Sequence, residues 1–281
     1  MNERDPRGLA GAWTRFQRHA GAAPSADLAG HVERYWVAHW RYDRPYRQLV
    51  VPYPNVHLIF SRSGVTVTGP TAGHQVRVLE GSGGVLGVTF RPGSFRPFLG
   101  APVRSIRDRV IDADVIFGTD LPVLAEPPQL SDVPRVEDLL RARLPGPDPQ
   151  VRAAIAAVDT VTADPTITTV ELLADRLGVG VRRLQRLFAE HVGLSPKRVI
   201  RRYRLREVTE RMAAGTPINW AALAADLGFA DQAHLVRDFT GIFGESPARY
   251  QQRYPVGGSR RVEGQTGVAA DAMPTASPTV T

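Results

Sequence analysis

Leu184-Gln185-Arg186-Leu187-Phe188, four further residues, then Gly193-Leu194-Ser195-Pro196: the chain uses this pattern twice. It returns as Leu235-Val236-Arg237-Asp238-Phe239, four residues, and Gly244-Glu245-Ser246-Pro247. Both copies read Leu-x-Arg-x-Phe-x4-Gly-x-Ser-Pro, and Phe188 and Phe239 are 51 positions apart. Upstream, Leu173-Ala174-Asp175-Arg176-Leu177-Gly178 is matched by Leu223-Ala224-Ala225-Asp226-Leu227-Gly228. A period of this size marks one supersecondary unit used twice.

Each copy predicts helix, turn, helix, stop. Leu173, Ala174 and Leu177, like Leu223, Ala224 and Leu227, sit three and four apart and give a first helix one apolar stripe. Thr168 with Glu171 forms a capping-box signature, so Thr168 is the expected cap of the first start. Gly178 and Gly228 follow the last apolar residue, where a sharp turn needs left-handed backbone. In the second helix Leu184 and Phe188, or Leu235 and Phe239, face inward. Arg182, Gln185 and Arg186, or Gln232, His234 and Arg237, must then face outward. Asp231 reads as the cap of the later second helix. Two helices joined by a short glycine turn, the second presenting Arg and Gln, describe a helix-turn-helix reader of double-stranded DNA.

Between the copies residues 196–214 predict one continuous helix, about 28 Å long at 1.5 Å per residue. That length can set two readers on successive major grooves of a duplex whose turn is ~34 Å. From 182 to 211 there are ten Lys or Arg and three Glu, an excess of seven positive charges. Base reading is expected from Arg182, Gln185, Arg186, Gln232, His234 and Arg237, since Arg pairs with guanine and Gln with adenine at the groove edge. Phosphate contacts are expected from Arg183, Lys197, Arg198, Arg201 and Arg202.

The segment Gly228-Phe229-Ala230-Asp231-Gln232-Ala233-His234-Leu235-Val236-Arg237-Asp238-Phe239, closed by Gly244-Glu245-Ser246-Pro247-Ala248-Arg249-Tyr250, resembles the signature of the AraC/XylS transcription regulators. The resemblance covers about 150–254 and implies a seven-helix, two-lobed DNA-binding domain. Gly180 stands where a capping Ser is usual, and Val199 and Val208 replace a usual Tyr and Ala.

The first half differs in character. Residues 32–40 are aromatic and β-prone. Short runs at 48–51, 56–60, 65–68, 75–79 and 84–90 are bounded by Pro, Gly, Ser or Asn, and they predict a meander or cupin-like barrel. Gly81-Ser82-Gly83-Gly84 reads as a hairpin turn, and helices are expected over 94–99 and 131–144. The fold class expected is α+β, a β-rich domain over 26–145 and an all-α domain over 151–254. An N-terminal extension (1–25, with a short helix near Trp13 and Phe16), a proline-rich linker (146–150) and a disordered tail (255–281) complete the division. Gly87-Val88-Thr89-Phe90-Arg91-Pro92-Gly93, Phe98-Leu99-Gly100 and Asp108-Arg109-Val110 resemble an uncharacterised sensor-type domain found ahead of AraC-type DNA-binding domains.

With 281 residues, net charge +7 and no cysteine, the chain has room for two cores, favours polyanionic partners and forms neither disulfides nor thiolate metal sites. No signal peptide or membrane helix is legible, so a cytoplasmic protein is expected. Trp36, Trp40, Tyr53 and His57 are candidate linings of a small-molecule effector pocket. RNA polymerase and a second copy of the chain are further partners consistent with this class. Two alternatives remain: a regulator whose β-domain serves protein contacts only, and a cupin-type metalloenzyme fused to the DNA-binding part. His31, His39, His57 and His74 follow no metal-ligand spacing, so neither enzyme activity, metal nor cofactor is expected.

Overall fold

A computed structural model describes residues 17–50, 53–213 and 217–251. The expected short helix at 13–16 and the tail from 255 lie outside these residues.

The N-terminal half is one six-stranded antiparallel sheet with strand order β1-β2-β5-β3-β4-β6. Its strands are β1 (Gln17–Ala22), β2 (Val32–Val50), β3 (His57–Ser61), β4 (Gly64–Thr68), β5 (Gln75–Phe90) and β6 (Val110–Asp112). Three expectations change here. The sheet begins before 26, because Gln17 to Ala22 pair with Trp40 to Tyr35 as an edge strand. The run at 32–40 and residues 48–50 of the next run belong to one strand of 19 residues. The glycine cluster at 81–84 is no hairpin turn but the middle of β5. The reason is steric: an added Cβ at Gly83 would lie 2.6 Å from the Trp40 ring, and one at Gly84 2.5 Å from the His39 ring. Glycine lets large cross-strand rings lie over the backbone.

Alternation along the strands gives the sheet two faces. Tyr35, Val37, Leu58, Phe60, Val67, Leu86, Val88 and Phe90 point into a core closed by α1 (Arg96–Leu99), α2 (Asp114–Phe117) and α3 (Val133–Arg141). Arg34, Trp36, Trp40, His57 and Thr89 occupy the opposite face, as the registers Arg34↔Thr89↔His57 and Trp36↔Gly87 require.

The C-terminal half is all helical: α4 (Pro149–Ala163), α5 (Val170–Arg176), α6 (Val181–Leu187), α7 (Pro196–Ala213), α8 (Trp220–Asp226), α9 (Gln232–Phe243) and α10 (Pro247–Gln251). Asp148 caps α4 by accepting from Gln150 N–H at 2.7 Å, so the helix starts inside the stretch read as linker. Each lobe has its own core, around Leu173, Leu184 and Phe188 in the first and Leu223, Leu235 and Phe239 in the second. Gly178 (φ 63°) and Gly228 (φ 66°) turn the chain between paired helices, as their spacing predicted. None of the helices among the described residues is long and apolar enough to cross a membrane.

The two halves are packed together. Leu49 of β2 is buried in the core of the second lobe, and Ala72 packs on that of the first. Arg91 pairs with Asp159 at 2.8 Å, and Arg104 with Glu190 at 2.8 Å.

Candidate nucleic-acid interface

The first reader begins after Gly180, whose extended backbone (φ −72°, ψ 145°) starts α6 without a side-chain cap. Leu184 and Phe188 are buried, and Arg182, Arg183, Gln185 and Arg186 are exposed. Beyond Leu187 the helix continues as one π turn, Phe188–Val192, and stops at Gly193 (φ 80°). Val181 through Val192 therefore corresponds residue for residue to α9, which stops at Gly244 (φ 73°). The pattern had predicted the stop but not the π turn; helix length is the same in the two copies while the hydrogen bonding is not.

The second reader starts at Asp231, whose carboxylate accepts from His234 N–H at 2.6 Å. Gln232 and Arg237 are exposed. His234 is only half-exposed. Its Nδ1 accepts from Ala230 N–H at 3.4 Å, its ring meets Phe229 edge-on at 5.4 Å, and its Nε2 lies 3.5 Å from Asp238. These contacts turn the imidazole toward the turn that precedes the reader. The cap of α5 is Thr169, which accepts from Leu172 N–H at 3.2 Å, and not the expected Thr168. Thr168 instead meets the second lobe, its carbonyl accepting from Arg204 at 3.5 Å.

The cations of α7 fall into two groups. Lys197 and Arg198 are exposed near its start. Arg201, expected on phosphate, clasps Asp238 of α9 through two parallel hydrogen bonds. Arg202 is a correction: it is 5% exposed and donates to the Gly73 carbonyl at 3.1 Å. Burial pulls its guanidinium down to about 10, with the Tyr53 and Tyr203 hydroxyls opposing the shift. Arg204 is buried over the Phe229 ring at 4.1 Å. Of the five residues expected on phosphate, Arg183, Lys197 and Arg198 are exposed. Spacing alone could not separate these groups, since Val199 and Ile200 are buried in the first core and Leu205, Val208 and Met212 in the second, so α7 has apolar contacts on more than one side and no single polar face.

In the sheet, three of the four candidate pocket residues share a face and one does not. Trp36 lies across Gly87, where an added Cβ would come 2.2 Å from its ring, and Trp40 lies across Gly83. His57 follows on the same face, its Nδ1 3.3 Å from Thr89 Oγ1. Tyr53 stands apart at the interface between the halves, its ring 5.7 Å from Tyr203. Arg34 and Thr89 were missed as companions of His57, although the alternation 34, 36, 38, 40 along β2 placed Arg34 beside Trp36. Among the described residues no group of three or more His, Asp or Glu is placed to hold a metal ion.

Burial first, then the positive charges of Arg34 and Arg77, push His57 down from 6.5 to about 4. The unfolded chain then binds the extra proton across that window, so stability should fall as pH drops from 6.5 to about 4. Urea midpoints at several pH values in that range test this. An equal slope in His57→Gln would sink it.

Residues 21–112 match a family model described as a domain of unknown function (DUF6597), and residues 173–253 match one described as a helix-turn-helix domain. The transcriptional activator RhaS of Escherichia fergusonii is 33% identical over 82 residues, 29% of this chain and 29% of that protein. The chain thus spans under a third of the length of that curated relative. A probable AraC family regulator from Rhodopseudomonas palustris is 29% identical, covering 35% of this chain and 94% of that one, with a TM-score of 0.32. ToxT from Vibrio cholerae is 11% identical, covering 78% and 96%, with a TM-score of 0.39. With its duplicated turn and two outward helices, the C-terminal part of this chain is a helix-turn-helix domain of the AraC type, preceded by a β-sheet domain whose family has no assigned function.

Proposed function

We propose that this protein is a sequence-specific DNA-binding transcription regulator acting in the cytoplasm, which reads two successive major-groove segments with α6 and α9. One observation carries the reading: repeat-equivalent helices each present Arg and Gln that form no hydrogen bond or ion pair among the described residues. Arg182, Gln185 and Arg186 read one half-site. Gln232 and Arg237 read the other, with His234 supporting the second helix from behind. Arg183, Lys197 and Arg198 hold phosphates. The β-domain exerts control, and its face of Trp36, Trp40, His57 and Arg34 is the place for a small-molecule effector.

Binding sites selected from a random duplex library by the full chain would test this. Arg182→Ala and Gln232→Ala should each relax preference at one or two defined base pairs, by about 1–3 kcal/mol. A loss spread evenly over all sequences would refute the assignments. Arg198→Ala should leave preference intact and lower the salt slope by about one unit.

A further inference from the structure

Residues 69–74, which join β4 to β5, touch both reading lobes and the helix between them. Pro70 abuts Gly193: an added Cβ there would lie 2.7 Å from Pro70 Cγ, 2.9 Å from Val103 Cγ1 and 3.0 Å from the Val103 carbonyl. Ala72 packs on the first-lobe core. The Gly73 carbonyl accepts from buried Arg202 in the middle of α7. The ring of His74 abuts Gly244, 2.9 Å from the position of an added Cβ. Gly193 and Gly244 are the same position in the repeat, 51 residues apart, and each ends a reading helix.

The connection is itself stiff. Gly69 N–H donates to the Arg109 carbonyl at 2.9 Å, Asp108 N–H to the Pro70 carbonyl at 3.1 Å, and Ala72 N–H to the Asp108 carboxylate at 2.8 Å. Pro70 and Thr71 are buried. Pro70 to His74 is four residue steps, a reach of at most about 14 Å. The C-terminal ends of the two readers are therefore tied on one side by α7 and on another by this short brace. A lone rod fixes a distance and leaves a hinge angle free. A second tie removes that freedom.

We propose that residues 70–74 determine which half-site spacing the protein accepts, by fixing the angle between its two readers. This rests on the DNA-reading role proposed above. Inserting one base pair between half-sites moves the second by about 3.4 Å and turns it by about 34°. A braced pair of readers cannot follow that rotation, and a pair joined by α7 alone can bend toward it.

The test uses the full chain and the best selected duplex, together with versions carrying one base pair more or fewer between half-sites. The unaltered protein should prefer its selected spacing about ten-fold or more over either neighbour. In His74→Ala and in His74→Ala combined with Arg202→Gln, the preference should shrink to about three-fold or less. Affinity for a duplex with a single half-site should not change, which separates a loosened brace from a damaged lobe. His74 is exposed, so the single variant keeps its fold even if the double does not. An unchanged spacing preference in His74→Ala and any folded double variant would overturn the proposal, as would unaltered protein indifferent to spacing. Failure of the unaltered protein to select any duplex would instead overturn the DNA-reading role itself.

Discussion

Replacing Gly69 by Ala should be the most damaging small change in the N-terminal half. The new Cβ would sit 1.8 Å from the Ile106 carbonyl oxygen and 2.7 Å from its carbon, both backbone atoms that cannot rotate away. Ile106 belongs to the 3-10 turn Val103–Ile106, whose Val103 is wholly buried and also meets Gly193. Relief would require that turn and the brace to separate by more than an ångström. Overpacking of this kind costs about 3 kcal/mol, so the midpoint of the N-terminal unfolding step should fall by about 10 °C. Gly30→Ala is the control, because nothing lies within 4 Å of its added Cβ. Calorimetry showing equal midpoints for the two variants would contradict the packing described. The same Gly69→Ala protein should show a weakened spacing preference on DNA.

Arg201→Ala should have the largest effect in the C-terminal half. Asp238 lies on the second reader with its side chain 9% exposed, and Arg201 supplies two of its hydrogen bonds from α7. Removing the guanidinium leaves a largely buried carboxylate without its two-pronged partner, facing the half-exposed His234 imidazole and the charge of Arg204. A fully buried pair broken in this way costs about 3–5 kcal/mol. Arg201 is one-third exposed, so water screens part of that and about 2–4 kcal/mol is expected. The double change Arg201→Met with Asp238→Leu should recover most of the loss, since no charge is then left without a partner. Denaturant unfolding measures both. A phosphate contact would behave differently: the salt slope on DNA would drop by about one unit with stability unchanged.

Much of this molecule was legible from residue order, and the rest failed for identifiable reasons. The repeat exposed both lobes because an inward Leu and Phe four apart, ended by glycine, leaves one orientation for each reading helix. Asp231 could be recognised as a cap because a carboxylate directly before a helix has an obvious donor to meet. The Thr168 assignment was one residue off, since Thr168 and Thr169 offer the same hydroxyl and only tertiary contact separates them. Arg201 and Arg202 were misjudged for a related reason. Charge density reveals that a surface is basic, but not which guanidinium turns inward to meet Asp238 or the Gly73 carbonyl. In the sheet, the glycines of β5 imitated a turn because the rings they accommodate lie on a strand far away in sequence. Edge strand β1 carries a polar, glycine-containing sequence with no apolar alternation to betray it. The brace had no local signature: its role lies in what 70–74 touch, more than a hundred residues later.

β5 runs from Gln75 to Phe90 as one strand, with register shifts in its ladder with β2 beside Gly81 and at its Phe90 end. The strand that passes beneath Trp36 and beside His57 starts at Gln75, directly after the residue seated on Gly244. A strand cannot slide by one residue without turning its buried side chains outward, so a molecule settling on the aromatic face would tilt β5 without changing its register. Both ends of the readout would feel such a tilt together. Occupancy of the two halves of an operator should then rise and fall in concert, with half-bound complexes scarce at every effector concentration.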